Sequence, residues 1–203
     1  MPRLEFFFDC SSPWTYLGFH AVQTMANRLA ITIEWRPILV GGVFNAVNPQ
    51  LYEARASMMA NEQRLAHYQK DLQDWARFYN ITICQPSVFP VNSVKVMRGC
   101  CAALERGKLV PFARHAFEAY WGDDQDISQD SVIENLCLQA GLEPTEIFAR
   151  ISSQPCKDEL RANTEELVQR GGYGSPTLFI DGDDMYFGND RLVLVEHALK
   201  ARL

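Results

Sequence analysis

The stretch Asp9-Cys10-Ser11-Ser12-Pro13-Trp14-Thr15-Tyr16-Leu17-Gly18 carries more chemistry than any other part of this chain. It follows an apolar run, Leu4 to Phe8, that reads as a buried strand. It opens a segment with apolar residues at Leu17, Ala21, Val22, Met25 and Leu29, the spacing of one helix face. A Ser-Pro pair at such a junction fits a helix N-terminus, with Ser12 as N-cap and Pro13 at the first helical position. Helix N-termini present unpaired backbone N–H groups and a positive dipole end, so the junction favours an anion. Taken without a fold, Ser12 is a plain N-cap. Cys10, at a strand end, reads as buried and inert, and Cys100-Cys101 share a helix with Met97 and Leu104 and read as packing.

The elements that position this junction follow from patterning. Ile31-Thr32-Ile33-Glu34-Trp35 alternates and reads as a second strand that stops at Pro37. Strand, helix and strand within so short a span form a βαβ unit, so the two strands should run parallel. The segment 43–49, with Asn45 and Asn48, looks like a loop. Leu65, Tyr68, Leu72, Trp75 and Tyr79 then mark a long helix, and Pro86 and Pro90 punctuate a second loop. Asn92 suits the cap of a helix running through Leu104, and helices follow over 111–120, 128–140 and 144–151. Beyond a weak 81–84 no strand is expected between about 50 and 155. A further helix precedes Thr177-Leu178-Phe179-Ile180, which reads as a strand. Asp181-Gly182-Asp183-Asp184 is turn chemistry, and Met185-Tyr186-Phe187 completes an antiparallel hairpin. A last helix spans 190–203.

Composition sets the class. The 203 residues are 47% hydrophobic and 11% aromatic, enough apolar surface for a proper core. Nineteen basic against 25 acidic side chains give a net charge of −6, with no basic run, which argues against a nucleic-acid partner. No apolar stretch approaches the ~20 residues of a membrane span. The N-terminus enters strand-like sequence with no secretory pattern. The six cysteines form no C-x-x-C pair and no zinc spacing. Free thiols in a reducing cytoplasm, and no metal, are the expectation.

A βαβ unit and a ββα unit separated by helices is the thioredoxin-like arrangement, and the helical insertion makes it DsbA-like. The expected fold class is therefore α/β, thioredoxin-like with a large all-helical insertion. The thioredoxin-like domain should cover 1–48 and 156–203 and the helical domain 49–155. Gly174-Ser175-Pro176-Thr177 places Pro176 where such folds carry a cis-proline facing the first helix.

The whole chain resembles the kappa-class glutathione transferase family, most of all its 2-hydroxychromene-2-carboxylate isomerase branch. The residues that carry this are Phe8-Asp9-Cys10-Ser11-Ser12-Pro13 and Trp35-Arg36-Pro37-Ile38-Leu39-Val40-Gly41-Gly42-Val43-Phe44. Phe89-Pro90-Val91-Asn92-Ser93, Gly174-Ser175-Pro176-Thr177 and Phe187-Gly188-Asn189-Asp190-Arg191-Leu192 continue it in family order. The resemblance implies a glutathione cofactor, with Ser12 the catalytic serine, Ser175 and Pro176 pairing with the tripeptide backbone, and Asn189 and Asp190 holding its γ-glutamyl end. Asn48 inherits a further contact, and Asn45 stands where family members often carry lysine. It also implies an aromatic carboxylate substrate from aromatic hydrocarbon catabolism, in a pocket of Trp14, Phe44, Asn45, Phe89 and Asn92, and a homodimer. The protein would then keep a thiolate-stabilising helix terminus without owning the thiol. A kappa-type transferase or peroxidase would use the same site on another electrophile. A thiol-disulfide oxidoreductase working through Cys10 would lack a resolving thiol.

Overall fold

The computed structural model describes residues 1–47, 50 and 60–203. Strand β1 (Leu4–Phe8), helix α1 (Pro13–Leu29) and strand β2 (Ile33–Pro37) form the expected parallel βαβ unit, registered from Leu4 opposite Ile33 to Phe8 opposite Pro37. Helices follow as α2 (Val40–Val47), α3 (Glu62–Tyr79), α4 (Val94–Glu105) and α5 (Leu109–Phe117), which runs into a π turn at Glu118–Gly122. Then come α6 (Asp130–Gln139), α7 (Pro144–Ser152) and α8 (Gln154–Gln169). Strands β3 (Thr177–Ile180) and β4 (Asp184–Phe187) make an antiparallel hairpin. A 3-10 turn at Asn189–Arg191 leads into α9 (Leu192–Lys200). The sheet order is β2-β1-β3-β4, with β3 antiparallel to β1. This is the expected α/β thioredoxin-like fold with helices interposed between its two halves. No described helix is long and apolar enough to cross a membrane.

Local chemistry explains the boundaries of α1. The Ser12 hydroxyl accepts the Thr15 N–H at 3.3 Å, Pro13 fills the first turn, and Ala30 ends the helix in the left-handed region at φ 55°. The same N-cap logic starts α3, where Asn61 accepts the Arg64 N–H at 3.0 Å.

Several expectations are corrected. The segment read as a loop from residue 43 is helical through Val47. Its asparagines are poor helix formers, but Val43 packs with Phe7, Ile38, Leu167 and Phe179, and that burial outweighs propensity. The weak strand at 81–84 does not form. The Ile81 N–H closes the end of α3 on the Ala76 carbonyl, and the Cys84 N–H reaches the Trp121 carbonyl, outside any ladder. The helix expected over 111–120 turns into the π geometry at Glu118, and the last helix is shorter than expected because 189–191 is a 3-10 turn. At α4 the N-cap position belongs to Ser93. Asn92 still supports that end through its side-chain oxygen, which accepts the Val94 N–H at 3.1 Å.

One aromatic cluster joins the sheet to the helical block. Phe8 and Phe19 pack on Phe117, Tyr16 stacks on the same ring at 5.1 Å, and Trp35 closes the β2 side. Each such phenylalanine taken fully out of water contributes roughly 1.5–3 kcal/mol, so the helices are bound to the sheet by the same residues that build it. On the opposite side of β1, Glu5 is fully buried but paired, at 2.6 Å to Arg170 and 3.0 Å to Arg3. Arg170 also lies 3.8 Å above the Phe179 ring, so the pair is desolvated yet satisfied on both sides.

Candidate functional site

β1 delivers the chain to Asp9, and α1 leaves from Ser12. Across from this turn lies the cis peptide Ser175–Pro176, directly before β3. The two are locked together. The Asp9 N–H donates to the Ser175 hydroxyl at 3.1 Å, and that oxygen lies 2.8 Å from the hydroxyl of the fully buried Thr15. Helix α1 approaches Pro176 so closely that a Cβ on Gly18 would stand 3.0 Å from the proline ring. Glycine is therefore the residue that fits there. Beyond the proline, the Pro176 carbonyl accepts the Gly188 N–H at 3.0 Å, tying β4 and the turn at Asn189 to the same corner.

Between these elements opens a cavity of about 480 Å³, within the usual range for small-molecule sites. Its lining includes Ser12 and Trp14 at the start of α1, Ser175 and Phe187 from the hairpin side, and Phe44, Tyr68, Phe89 and Asn92 from α2, α3 and the segment before α4. Trp14 meets Tyr68 edge to face at 5.5 Å, so α3 folds an aromatic wall over the start of α1. Phe89 packs at 6.2 Å against Trp121, whose indole N–H donates to the Cys10 carbonyl at 2.9 Å. No charged side chain lines the cavity among the described residues. A larger groove of about 710 Å³ on another face of α1 is edged by His20, Gln23, Arg114, Glu118 and Asp123. It is polar and holds neither the serine nor the proline, so size alone does not mark the site.

Among the described residues, three helix N-termini face the aromatic cavity: α1 at Ser12, α2 at Val40 and α4 at Val94. With no cationic side chain among the described lining residues, these oriented backbone ends supply positive potential. Behind them sits Asp9, fully buried. Its Oδ1 accepts the Ser11 N–H at 2.9 Å, and its Oδ2 accepts the Val40 N–H at 2.9 Å and the Ser93 hydroxyl at 3.1 Å. Burial pushes the Asp9 carboxyl above the ordinary carboxylate range, while these donors pull it back only in part. Neighbouring Cys100 is likewise raised well above a normal thiol, first by burial and then by Cys10 and Asp9 beside it. Cys10 itself is fully buried and does not line the cavity.

The structure brings together Ser12, Trp14, Phe44, Phe89, Asn92 and Ser175 around one cavity; Pro176 does not line it and packs against Gly18 of α1. Asn45 is exposed on α2 and does not line it. Asn48 lies outside the described residues. Asn189 and Asp190 flank the site without lining it. Asn189 is buried, and its side-chain amide nitrogen has no hydrogen-bond partner among the described residues. Sequence reasoning assigned no role to Asp9, Thr15, Ser93, Tyr68 or Phe187. For Asp9 a signal existed: an Asp closing a buried strand with Ser11 two residues on is the pattern of an Asx turn. Tyr68 and Phe187 gave none, because each reads as ordinary core spacing.

The fold and site define the class: the chain belongs to the DSBA-like thioredoxin domain family, whose model matches residues 3–200. Among individual proteins, it is 28% identical over 204 residues to a 2-hydroxychromene-2-carboxylate isomerase of Sphingobium xenophagum, covering 97% of each chain. It is 27% identical to the human glutathione S-transferase kappa 1, covering 98% of this chain and 92% of that one. A solved structure of a 2-hydroxychromene-2-carboxylate isomerase superposes with a TM-score of 0.83 at 25% identity, covering 98% of this chain and 94% of that one. The relatives are enzymes of the isomerase and kappa transferase groups.

Proposed function

We propose that the protein is a glutathione-dependent isomerase that interconverts 2-hydroxychromene-2-carboxylate and trans-o-hydroxybenzylidenepyruvate. The observation that carries the reading is the placement of Ser12, at the N-terminus of α1 and on the wall of an aromatic cavity opposite cis-Pro176. The residues present fit a glutathione molecule. The amide N–H of buried Asn189, unpartnered among the described residues, suits a carboxylate acceptor, and the half-exposed carboxylate of Asp190, which pairs with Arg191, suits an ammonium. Ser175 offers its backbone to an extended peptide, and Ser12 offers a hydroxyl to a sulfur.

When bound, glutathione supplies a soft thiolate nucleophile that can add reversibly to an activated alkene and leave again unchanged. The protein's part is electrostatic and steric. The Ser12 hydroxyl and the α1 terminus hold the sulfur's charge and lower its pKa from the ~8.5 of a free thiol. Trp14, Phe44, Tyr68 and Phe89 present flat apolar surface to an aromatic ring and keep water from it. The converging N-termini of α2 and α4 favour the substrate's anionic end. A cytoplasmic homodimer is part of the proposal, the dimer supported by the resemblance of the whole chain and the reducing compartment by six free cysteines.

The uncharged lining favours a second reading, a kappa-type transferase or peroxidase acting on a neutral electrophile. A route through Cys10 has no such support, since its thiol is buried. The test is to follow 2-hydroxychromene-2-carboxylate spectrophotometrically with and without glutathione. Glutathione-dependent conversion with no loss of free thiol is expected. No conversion, together with stoichiometric thiol loss on a neutral electrophile, would move the assignment to the second reading.

A further inference from the structure

Asp9 does not line the cavity, yet its carboxylate's three hydrogen bonds end at the three helix starts that line it among the described residues. Ser11 leads into the N-cap of α1, Val40 is the first residue of α2, and Ser93 is the N-cap position of α4. Burying a carboxylate is costly and worthwhile only where its bonds fix something. Ser93 confirms the direction of the arrangement. It gives up the usual N-cap bond to its own helix and turns its hydroxyl to Asp9 instead.

We propose that Asp9 is the positioning residue of the Ser12 site, fixing the Ser11–Ser12 turn relative to α2 and α4 through its side chain. The inference rests on the reading that Ser12 holds a glutathione sulfur. Asp9 acts through two separable groups. Its backbone N–H bonds Ser175 and serves the peptide-binding side, and asparagine at position 9 keeps that donor. Its carboxylate serves the turn that carries the reacting sulfur. Loss of the carboxylate therefore damages turnover and leaves the grip on the tripeptide. Asparagine has the right size, but its NH2 group meets an N–H or hydroxyl donor at whichever oxygen position it takes, so the turn shifts.

The experiment compares wild type, Asp9→Asn, Ser93→Ala, the double variant and Ser12→Ala. Glutathione affinity is measured by calorimetry, and kcat with 2-hydroxychromene-2-carboxylate and with a neutral nitroaryl chloride is expressed per bound glutathione. Misplacing a reacting group by about an ångström costs up to roughly 100-fold. In Asp9→Asn, kcat per bound glutathione should fall about 10- to 100-fold, with the dissociation constant changed less than about threefold. Ser93→Ala should show a smaller loss in the same direction. The double variant should lose less than the product of the two, because both changes cut one network. A purely structural Asp9 would lower the melting temperature and the active fraction and leave kcat per bound glutathione unchanged, which overturns the proposal. Multiplicative effects in the double variant overturn it as well. If Ser12→Ala is impaired and Asp9→Asn is not, only the positioning role fails. If the wild type does not bind glutathione, the functional reading and this inference fall together.

Discussion

Replacing Ser12 by alanine tests the proposed chemistry at a single atom. The hydroxyl has two duties, one seen and one inferred. It caps α1 through a 3.3 Å bond from the Thr15 N–H, and it donates its proton toward a ligand sulfur. The cap bond is long, so its loss belongs at the low end of the usual range, about 0.5–1 kcal/mol. In a domain of this size that lowers the melting temperature by about 1–4 °C. A hydrogen bond to a charged group contributes about 1.5–3 kcal/mol, and a pKa unit corresponds to about 1.4 kcal/mol. The bound thiol should therefore rise by about 1–2 units in Ser12→Ala.

The consequence for rate depends on pH. If the site holds the thiol near 7, as helix termini do elsewhere, a rise of about 1.5 units leaves about 3% thiolate at pH 7 against half in the wild type. Turnover then falls about 15-fold at neutral pH and recovers as pH is raised through the new pKa. The assay is the ultraviolet absorbance of the bound thiolate titrated with pH, alongside kcat over the same range. An unchanged thiol pKa, or a kcat loss that stays constant at every pH, would refute the assignment of Ser12 as the sulfur's hydrogen-bond donor.

Three further outcomes follow from packing. Arg170→Met removes the 2.6 Å partner of fully buried Glu5 and should cost about 3–5 kcal/mol in denaturant unfolding; a loss below 1 kcal/mol would show that Arg3 alone satisfies the carboxylate. Phe89→Ala opens one wall of the cavity and should raise KM for an aromatic substrate several-fold with glutathione affinity unchanged. Equal loss of both would mean that the Phe89 loop also shapes the cofactor side. Thiol labelling of the native protein should modify Cys84 first, since it is partly exposed, and spare Cys10, Cys100, Cys101 and Cys156 until unfolding. Burial holds the Cys100 thiol well above its ordinary pKa and raises that of Cys156, so mild alkali should not speed their labelling; rapid native modification of Cys10 would instead restore a cysteine mechanism.

What the sequence made legible is what local chemistry encodes. Ser12-Pro13 marks a helix start because capping is a contact between neighbours, and the hairpin at Asp181-Gly182 follows from turn residues. Resemblance points to Trp14, Phe44, Phe89 and Asn92 as pocket residues, and the fold brings all four to the lining of one cavity. Helix α2 was illegible because its stability comes from Val43 joining a buried cluster with Leu167 and Phe179, residues remote from it in the chain. Glu5 was equally silent: within a run of Leu and Phe it looks like an error in a buried strand until Arg170 arrives from α8.

The division of labour in the site explains why its buried acid does not announce a part in binding. Side chains that meet a ligand announce themselves by type: a hydroxyl, an amide, an aromatic ring. The positive potential here comes from backbone instead, from the starts of α1, α2 and α4. Such a potential depends on where three helices point, and helices joined by long connections have no local reason to converge. A single carboxylate reaching Ser11, Val40 and Ser93 supplies that reason. It can do so only from behind the site, because an anion in the cavity itself would repel the thiolate that the helix ends are placed to hold.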